Sequence, residues 1–215
     1  MQGQDAGARG LRLLVFDRTC AGRRGLPGLS QAWGAGRVLY RGLGRIDAGI
    51  GVASWAEALH WLATTQAPRS IAEIQFWGHG RFGQALVAGE VLDASAVSPG
   101  HPHHEQLSRI RARLLRAERG LWWFRTCETF GTQAGHDFAR AWSRFFGCRA
   151  AGHTHVIGVW QSGLHTLLPD ADPAWSVTEG TGRPATAGAP ARALPSRPGA
   201  PNTISFLHGQ IPEDF

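Results

Sequence analysis

Residues 71–80 read Ile-Ala-Glu-Ile-Gln-Phe-Trp-Gly-His-Gly, an apolar run that passes directly into a glycine–histidine–glycine turn. A short apolar run bounded in this way predicts a buried strand that ends at Trp77. A second run, Leu-Trp-Trp-Phe-Arg-Thr at 121–126, is the most apolar in the chain and ends on Cys127. The segment between them has apolar residues at helical spacing and predicts a helix over 105–118. This order predicts two strands that lie side by side in a parallel sheet.

Similar patterns elsewhere in the chain complete the predicted domain. Ser54 and Glu57 have the spacing of a helix-capping box at the start of one helix. The further predicted elements are a strand at 11–16, a weaker strand at 38–40, helices at 55–64 and 133–146, a strand near 156–160 and an edge strand at 203–207. Strands that alternate with such helices predict a three-layer α/β/α fold with a mostly parallel sheet. The α/β domain is assigned to residues 1–170, and residues 171–215 are a proline- and glycine-rich loop and C-terminal strand of the same domain.

Composition excludes several classes of protein. The 215 residues suit one domain with a full core. No stretch is long and apolar enough for a membrane span, and residues 1–10 lack the apolar segment of a signal peptide, so we expect a cytoplasmic protein with no membrane partner. The absence of a glycine-rich phosphate motif and of a Gly-x-Ser-x-Gly elbow argues against a nucleotide enzyme and a serine hydrolase.

The charge of the chain does not by itself predict a nucleic-acid partner. The net charge is +6 and every basic side chain other than histidine is arginine. The densest arginine run, from Arg109 to Arg119, falls largely in the predicted helix at 105–118 and is interpreted as its solvated face. No recognisable nucleic-acid module accompanies this run, so no specific nucleic-acid partner is expected.

Two residues with matching chemistry follow the two central strands. Ligands of open parallel sheets bind beyond the carboxyl ends of the strands, and His79 and Cys127 both lie just past such ends. A thiol becomes a strong nucleophile when a histidine or a helix N-terminus favours the thiolate, and the helix predicted after Thr132 offers the second of these. Gly80 has no side chain, so its backbone N–H, together with that of Cys127, is a candidate oxyanion donor. No metal and no cofactor are predicted.

These residues carry a resemblance to a known family. Phe-Trp-Gly-His-Gly at 76–80 and Phe-Arg-Thr-Cys-Glu-Thr-Phe-Gly at 124–131 resemble the caspase-like cysteine peptidases, which include caspases, metacaspases, legumains, gingipains, separases and bacterial domains. The separation 127 − 79 = 48 is close to the roughly 50 residues expected for caspases. The resemblance covers residues 11–160 and implies a caspase-haemoglobinase-like fold. It also implies a cysteine endopeptidase with a Cys127–His79 dyad, a thioester acyl-enzyme and a protein or peptide substrate.

The chain departs from the pattern of the caspase-like peptidases two positions before the cysteine. That position lines the pocket for the residue preceding the cut in those peptidases, and here it is Arg125. An arginine there would bind an acidic side chain, which predicts cleavage after Asp or Glu. The alternative is an arginine paired to a local carboxylate, Glu128 or Asp17. Asp17, which ends the first strand, is either a residue that orients His79 or lines the pocket, or a carboxylate that caps its own loop.

Other histidines and thiols are assigned structural roles. Cys20 and Cys148 are expected to be inert, and His153 and His155 to be satisfied polar residues. The cluster at 101–104 lacks companion ligands, so no metal site is assigned to it. Two other functions remain open: a non-catalytic caspase-like scaffold, and a basic protein that associates with nucleic acid. A weaker hypothesis is zymogen control by cleavage within 180–201, and the oligomeric state is open.

Overall fold

A six-stranded sheet forms the centre of the protein in a computed structural model that describes residues 9–22, 27–183, 191–213 and 215. The strands are β1 (Leu11–Asp17), β2 (Ala48–Val52), β3 (Ile71–Trp77), β4 (His79–Arg81), β5 (Gln84–Val87), β6 (Glu90–Leu92), β7 (Ala117–Arg125), β8 (Cys148–His153), β9 (Trp160–Gln161), β10 (Leu164–Leu167), β11 (Thr181–Arg183), β12 (Arg192–Ala193) and β13 (Ile204–Ser205). The helices are α1 (Leu29–Gly42), α2 (Trp55–Thr64), α3 (His104–Arg113) and α4 (Thr132–Phe146), with a 3₁₀ turn at Ala94–Val97.

The central sheet has the strand order β10-β8-β7-β3-β1-β2. All pairs are parallel except β8 with β10, which is antiparallel. The strands β3 and β7 are neighbours, with Trp77 opposite Arg125 at their carboxyl ends. The predicted pairing of the two apolar runs is therefore confirmed.

Alternating side chains of the strands divide the core between the two faces of the sheet. On β1, Leu13 and Val15 belong to the largest core cluster, which also takes in buried residues of α2, α3 and α4. Leu14 and Phe16 point the other way and pack with Tyr40 of α1. Helices thus cover both faces, and the prediction of a three-layer, mostly parallel α/β sheet is confirmed.

The helix start predicted at Ser54 is confirmed. Ser54 Oγ accepts a hydrogen bond of 3.1 Å from the N–H of Glu57 at the start of α2. The Glu57 carboxylate reaches one residue further back and accepts from the N–H of Ala53 at 2.8 Å. Helix α4 ends at Gly147, whose φ of +63° is the left-handed conformation that glycine favours.

Other predicted elements are wrong. The strand expected at 38–40 lies inside α1, because Tyr40 is buried against the sheet on that helix. The strand expected near 156–160 is replaced by β8 and the two-residue strand β9. The segment 203–207 contributes β13, which pairs with β9 and does not extend the main sheet.

The predicted helix at 105–118 ends early, at Arg113. The chain becomes extended at Leu114, which bridges to Ile71, and the next N–H bonds Ile71 O at 2.8 Å. Arg113 is only partly exposed, and its guanidinium donates to the carbonyls of Leu62, Ala63, Thr65 and Arg69. It thereby satisfies carbonyl groups left open at the end of α2.

A small antiparallel sheet between β3 and α3 was not predicted. It has the order β4-β5-β6 and begins at His79, directly after the central strand. Its first turn carries Gly83 at φ +73°, and the N–H of Gly83 bonds Thr129 O at 3.0 Å. This hairpin therefore fixes the segment that begins at His79 against the loop that follows β7. Among the described residues, no helix has both the length and the apolar character needed to cross a membrane.

Candidate active site

A cavity of about 460 Å³ lies at the carboxyl ends of β3 and β7. Both His79 and Cys127 line it, so the structure brings the two predicted residues to the wall of one cavity. Its other walls are mostly apolar, with Trp33, Trp77 and Phe206 as the largest side chains. This is the position at which parallel sheets bind ligands.

The thiol of Cys127 is half-buried, and its only hydrogen-bond partner within the described residues is a carbonyl. Its Sγ lies 3.9 Å from Ile157 O. Burial raises the pKa of the Cys127 thiol, and the nearby charge of Glu128 acts in the same direction. The sequence predicted the opposite, a stabilised thiolate. Both effects favour the neutral thiol of Cys127 over its thiolate.

The His79 ring faces the cavity as the exposed first residue of β4. It packs edge-to-face on Trp33, with 5.9 Å between ring centroids. No hydrogen bond joins the His79 ring to Cys127 Sγ, although both residues lie in the described part of the chain. Catalytic hydrogen bonds are often long in the absence of substrate and shorten when it binds.

Gly80, the residue after His79 in β4, lies against the loop that carries Cys127. A Cβ added at Gly80 would overlap the carbonyl oxygen of Cys127 and Oγ1 of Thr129, and would lie 2.9 Å from Cβ of Thr126. Only glycine allows this approach. Its predicted role as an oxyanion donor remains a prediction, but the close contact of the two motifs is a property of the structure.

The loop after Cys127 has an uncommon backbone conformation. Glu128 has a φ of +49°, which side-chain-bearing residues seldom adopt. Its N–H donates to His155 O at 2.9 Å, and the N–H of Phe130 donates to His153 O at 2.9 Å. The end of β8 and the residues that follow therefore hold the cysteine loop at two points.

Arg125 is 3% exposed and lines the cavity beside Cys127. Its guanidinium donates to Gln161 Oε1 at 2.6 and 3.0 Å, to Tyr40 Oη at 2.6 Å, to Phe206 O at 3.2 Å and to His208 O at 3.4 Å. The alternative of pairing with Glu128 or Asp17 is wrong, because these acceptors are all neutral. Its hydrogen bonds are therefore satisfied, whereas its charge has no ion-pair partner within the described residues.

Asp17 does not line the cavity. Its carboxylate accepts from the N–H and hydroxyl of Thr19, at 2.8 and 2.7 Å, and from the N–H of Ala88 at 3.0 Å. Burial would raise the pKa of Asp17, but the hydrogen bonds from Ala88 and Thr19 outweigh burial and lower it. Of the two roles considered from the sequence, the structure supports the loop-holding one.

The expectation that His153 is a satisfied polar residue is met only in part, because its Nδ1 lies 3.2 Å from Ser162 O but its buried Nε2 has no hydrogen-bond partner among the described residues. His153 is fully buried, and burial, with the charge of Arg125, lowers its pKa to about 3. His155 Nδ1 lies 2.9 Å from Thr154 Oγ1, and His104 Nδ1 lies 2.9 Å from Val97 O. No group of three or more potential metal ligands occurs among residues whose positions the structure describes.

Sequence patterns did not identify the aromatic walls of the site. Trp33 comes from α1 and Phe206 from the segment after β13, on opposite sides of Trp77 in the chain. A Cβ at Gly36 would lie 2.7 Å from the Trp77 ring and 2.8 Å from the Phe206 ring, so this glycine lets α1 approach both. A glycine in the interior of a helix marks close packing, but the sequence patterns did not predict α1, so Gly36 could not be recognised as such a signal.

Comparison of the chain with models of known protein families, with curated proteins and with solved structures gave no match.

The raised pKa of Cys127 leads to a first prediction. We expect iodoacetamide to alkylate Cys127 with a rate that still increases above pH about 8.5, the ordinary thiol pKa, because only the thiolate reacts. Cys20 and Cys148 should react more slowly, since their pKa values are raised to about 11 and about 12, mainly by burial. Mass spectrometry of the labelled peptides measures all three rates in one sample. A midpoint for Cys127 below pH about 8.5 would contradict the prediction and indicate a preformed thiolate.

Proposed function

We propose that the protein is a caspase-like cysteine endopeptidase, with Cys127 as nucleophile and His79 as general acid and base. The observation that carries the proposal is that both side chains line one cavity at the carboxyl ends of two adjacent parallel strands. The resemblance of the two motifs to the caspase-like peptidases supports the same assignment. The proposed substrate is a protein or peptide.

The raised pKa of Cys127 favours proton transfer during attack over a preformed ion pair. His79 takes the Sγ proton as Sγ attacks the scissile carbonyl carbon, and the carbonyl electrons move to oxygen. The backbone N–H groups of Gly80 and Cys127 are the proposed donors to that oxygen. The C–N bond breaks, His79 protonates the leaving amine, and a thioester remains. Water, deprotonated by His79, then releases the acid and restores the thiol.

Arg125 is the proposed determinant of substrate specificity. Its charge lies at the cavity wall and forms no ion pair among the described residues. The charge of Glu73 acts on Arg125, but burial raises the pKa of Glu73, so an acidic substrate side chain would add an opposite charge in direct contact with the guanidinium. A carboxylate adds a full opposite charge and two oxygens for a bidentate contact, so it would compete with the carbonyls of Phe206 and His208 for the guanidinium. The apolar walls would contact the aliphatic part of the same side chain.

The direct test of the proposed activity is cleavage of a fluorogenic peptide library with all residues varied before the cut. We expect cleavage by the intact protein and a loss of about 10²- to 10⁴-fold in His79→Ala, the range for a general acid–base residue. His60→Ala is the matched control, because His60 is an exposed histidine of α2 and does not line the cavity. Equal activity of the two variants would exclude the dyad.

The same library tests the role of Arg125. We expect kcat/KM to be highest for Asp or Glu before the cut and about 10-fold or more lower for Gln, because the amide cannot neutralise the buried charge. Arg125→Gln should remove this preference. Efficient cleavage after Arg or Lys would contradict it.

The rival function is a non-catalytic scaffold with the same fold, and the raised pKa of Cys127 is the observation that favours it. It predicts binding of peptides without cleavage by the intact protein, and no change in that binding in Cys127→Ala. Zymogen control by cleavage within 180–201 falls partly on residues 184–190, which lie outside the described part of the chain.

A further inference from the structure

A closed chain of polar and aromatic contacts starts and ends on the loop that carries Cys127. The loop is bound at Glu128 by His155 O, as described above. Between His153 and His155 lies Thr154, which is fully buried. Its hydroxyl donates to Glu179 Oε1 at 3.0 Å. Glu179, 25 residues further along the chain, therefore fixes the segment around Thr154 that binds the Cys127 loop.

The contacts continue from Glu179 back to the loop. Glu179 Oε1 lies 2.6 Å from His165 Nε2, and the His165 ring stacks on Trp175 with 4.6 Å between centroids. Trp175 Nε1 donates to Phe130 O at 3.0 Å, and its ring stacks on Phe130 with an angle of 6° between planes. We call Thr154, Glu179, His165 and Trp175 the loop-support circuit.

Hydrogen-bond roles in the circuit are mutually consistent. A carboxylate only accepts, so Thr154 Oγ1 and His165 Nε2 both donate to Glu179. The Thr154 hydroxyl has then used its proton, and it accepts from His155 Nδ1. Asn202 Nδ2 lies 3.4 Å from His165 Nδ1, which takes the acceptor role. Each donor of the circuit therefore meets an acceptor, and Glu179 Oε1 accepts from two donors.

Two glycines show how closely the chain is packed around Thr154. A Cβ at Gly163 would overlap Thr154 Oγ1, and a Cβ at Gly180 would overlap Thr154 O. Both glycines have positive φ values, +59° and +71°. Glycine adopts such a conformation without strain, so it suits both the backbone and the close contact at these two positions. Glu128 beside Cys127 has a positive φ that its side chain disfavours, and the surrounding contacts must enforce it.

We propose that Glu179 and Thr154 are positioning residues that, through the loop-support circuit, hold Cys127 in the orientation needed for attack. The inference rests on the proposed function and adds residues that act on the nucleophile without touching the substrate. Displacement of a reacting group by about 1 Å can cost about 10²-fold in rate, so loosening the loop should lower kcat more than it raises KM.

The test uses variants at three points of the circuit, all in the full chain. Thr154→Val removes the hydroxyl, Glu179→Gln replaces the charged acceptor of both hydrogen bonds by a neutral amide oxygen, which weakens both, and Trp175→Phe removes the indole N–H but keeps the stacked ring. We expect kcat for peptide cleavage to fall by about 10- to 100-fold in each, with KM changed by less than about 3-fold. Thr154→Ser should restore kcat. Glu57→Gln is the control for loss of a carboxylate that accepts from two groups. Glu57 accepts from an arginine and a backbone N–H, but it lies on α2 and does not line the cavity.

A second measurement separates failure of this inference from failure of the proposed function. We expect the alkylation rate of Cys127 relative to Cys20 in the same molecules to rise at least about 3-fold in the circuit variants, since a released loop exposes Sγ and reduces the burial that raises its pKa. Absence of cleavage by the intact protein would remove the proposed function, and the labelling ratio would still test the circuit. The inference is overturned if that ratio is unchanged, or if folded variants keep their kcat within about 2-fold.

Discussion

Replacing Cys127 by alanine is expected to abolish peptide cleavage, with a loss on the order of 10⁴-fold or more in kcat. In the proposed mechanism the thiol supplies the electron pair that attacks the carbonyl, and no other described cysteine or serine lies on the cavity except Ser205, which belongs to β13. Binding should survive, because the cavity walls and Arg125 are unchanged. Cleavage kinetics and peptide affinity, measured on the same preparation, separate the two effects.

Cys20→Ala is the matched control for this loss. Cys20 is also partly buried, but its Sγ lies 3.5 Å from Asp17 Oδ2 and it does not line the cavity. Its removal should leave kcat unchanged within about 2-fold. If Cys20→Ala lost as much activity as Cys127→Ala, or if Cys127→Ala kept it, Cys127 would not be the nucleophile.

Local patterns were sufficient to predict the strands that place the candidate dyad. The runs that end at Trp77 and Arg125 are buried on both faces, and such strands are continuous apolar segments in the sequence. Because they are adjacent and parallel, their carboxyl ends meet at one edge of the sheet. The shared position of His79 and Cys127 follows from that rule and did not require knowledge of side-chain contacts.

Contacts between residues that are far apart in the sequence determine the features that local patterns could not predict. Val-Leu-Tyr at 38–40 has the composition of a strand, but the burial of Tyr40 on the sheet favours the helix α1. The partners of Arg125 lie 85 residues before it, at Tyr40, and 81 residues after it, at Phe206. The pKa of Cys127 depends on burial by such segments, which explains why the expected thiolate was wrong.

The second large effect is expected for Gly80→Ala. The added methyl would overlap Cys127 O and Thr129 Oγ1, and backbone atoms cannot move aside as a flexible side chain can. Overpacking of this kind costs about 3 kcal/mol, at the upper end of the usual range. For a chain of this size the melting temperature should fall by roughly 6 to 12 °C. Thermal unfolding followed by circular dichroism measures the shift.

Gly42→Ala is the control that isolates the contact from the loss of glycine itself. Gly42 is the last residue of α1, and an added Cβ there would meet nothing within 4 Å. Alanine is about 1 kcal/mol more favourable than glycine in a helix, so this variant should be as stable as the parent or slightly more so. Because Gly80 also holds the segment that begins at His79 against the Cys127 loop, the fraction of Gly80→Ala that remains folded should cleave peptides at least about 10-fold more slowly. Full activity per folded molecule in Gly80→Ala would show that the contact between the two motifs supports the fold alone, and the geometry of the dyad would then have to be set by the loop after Cys127.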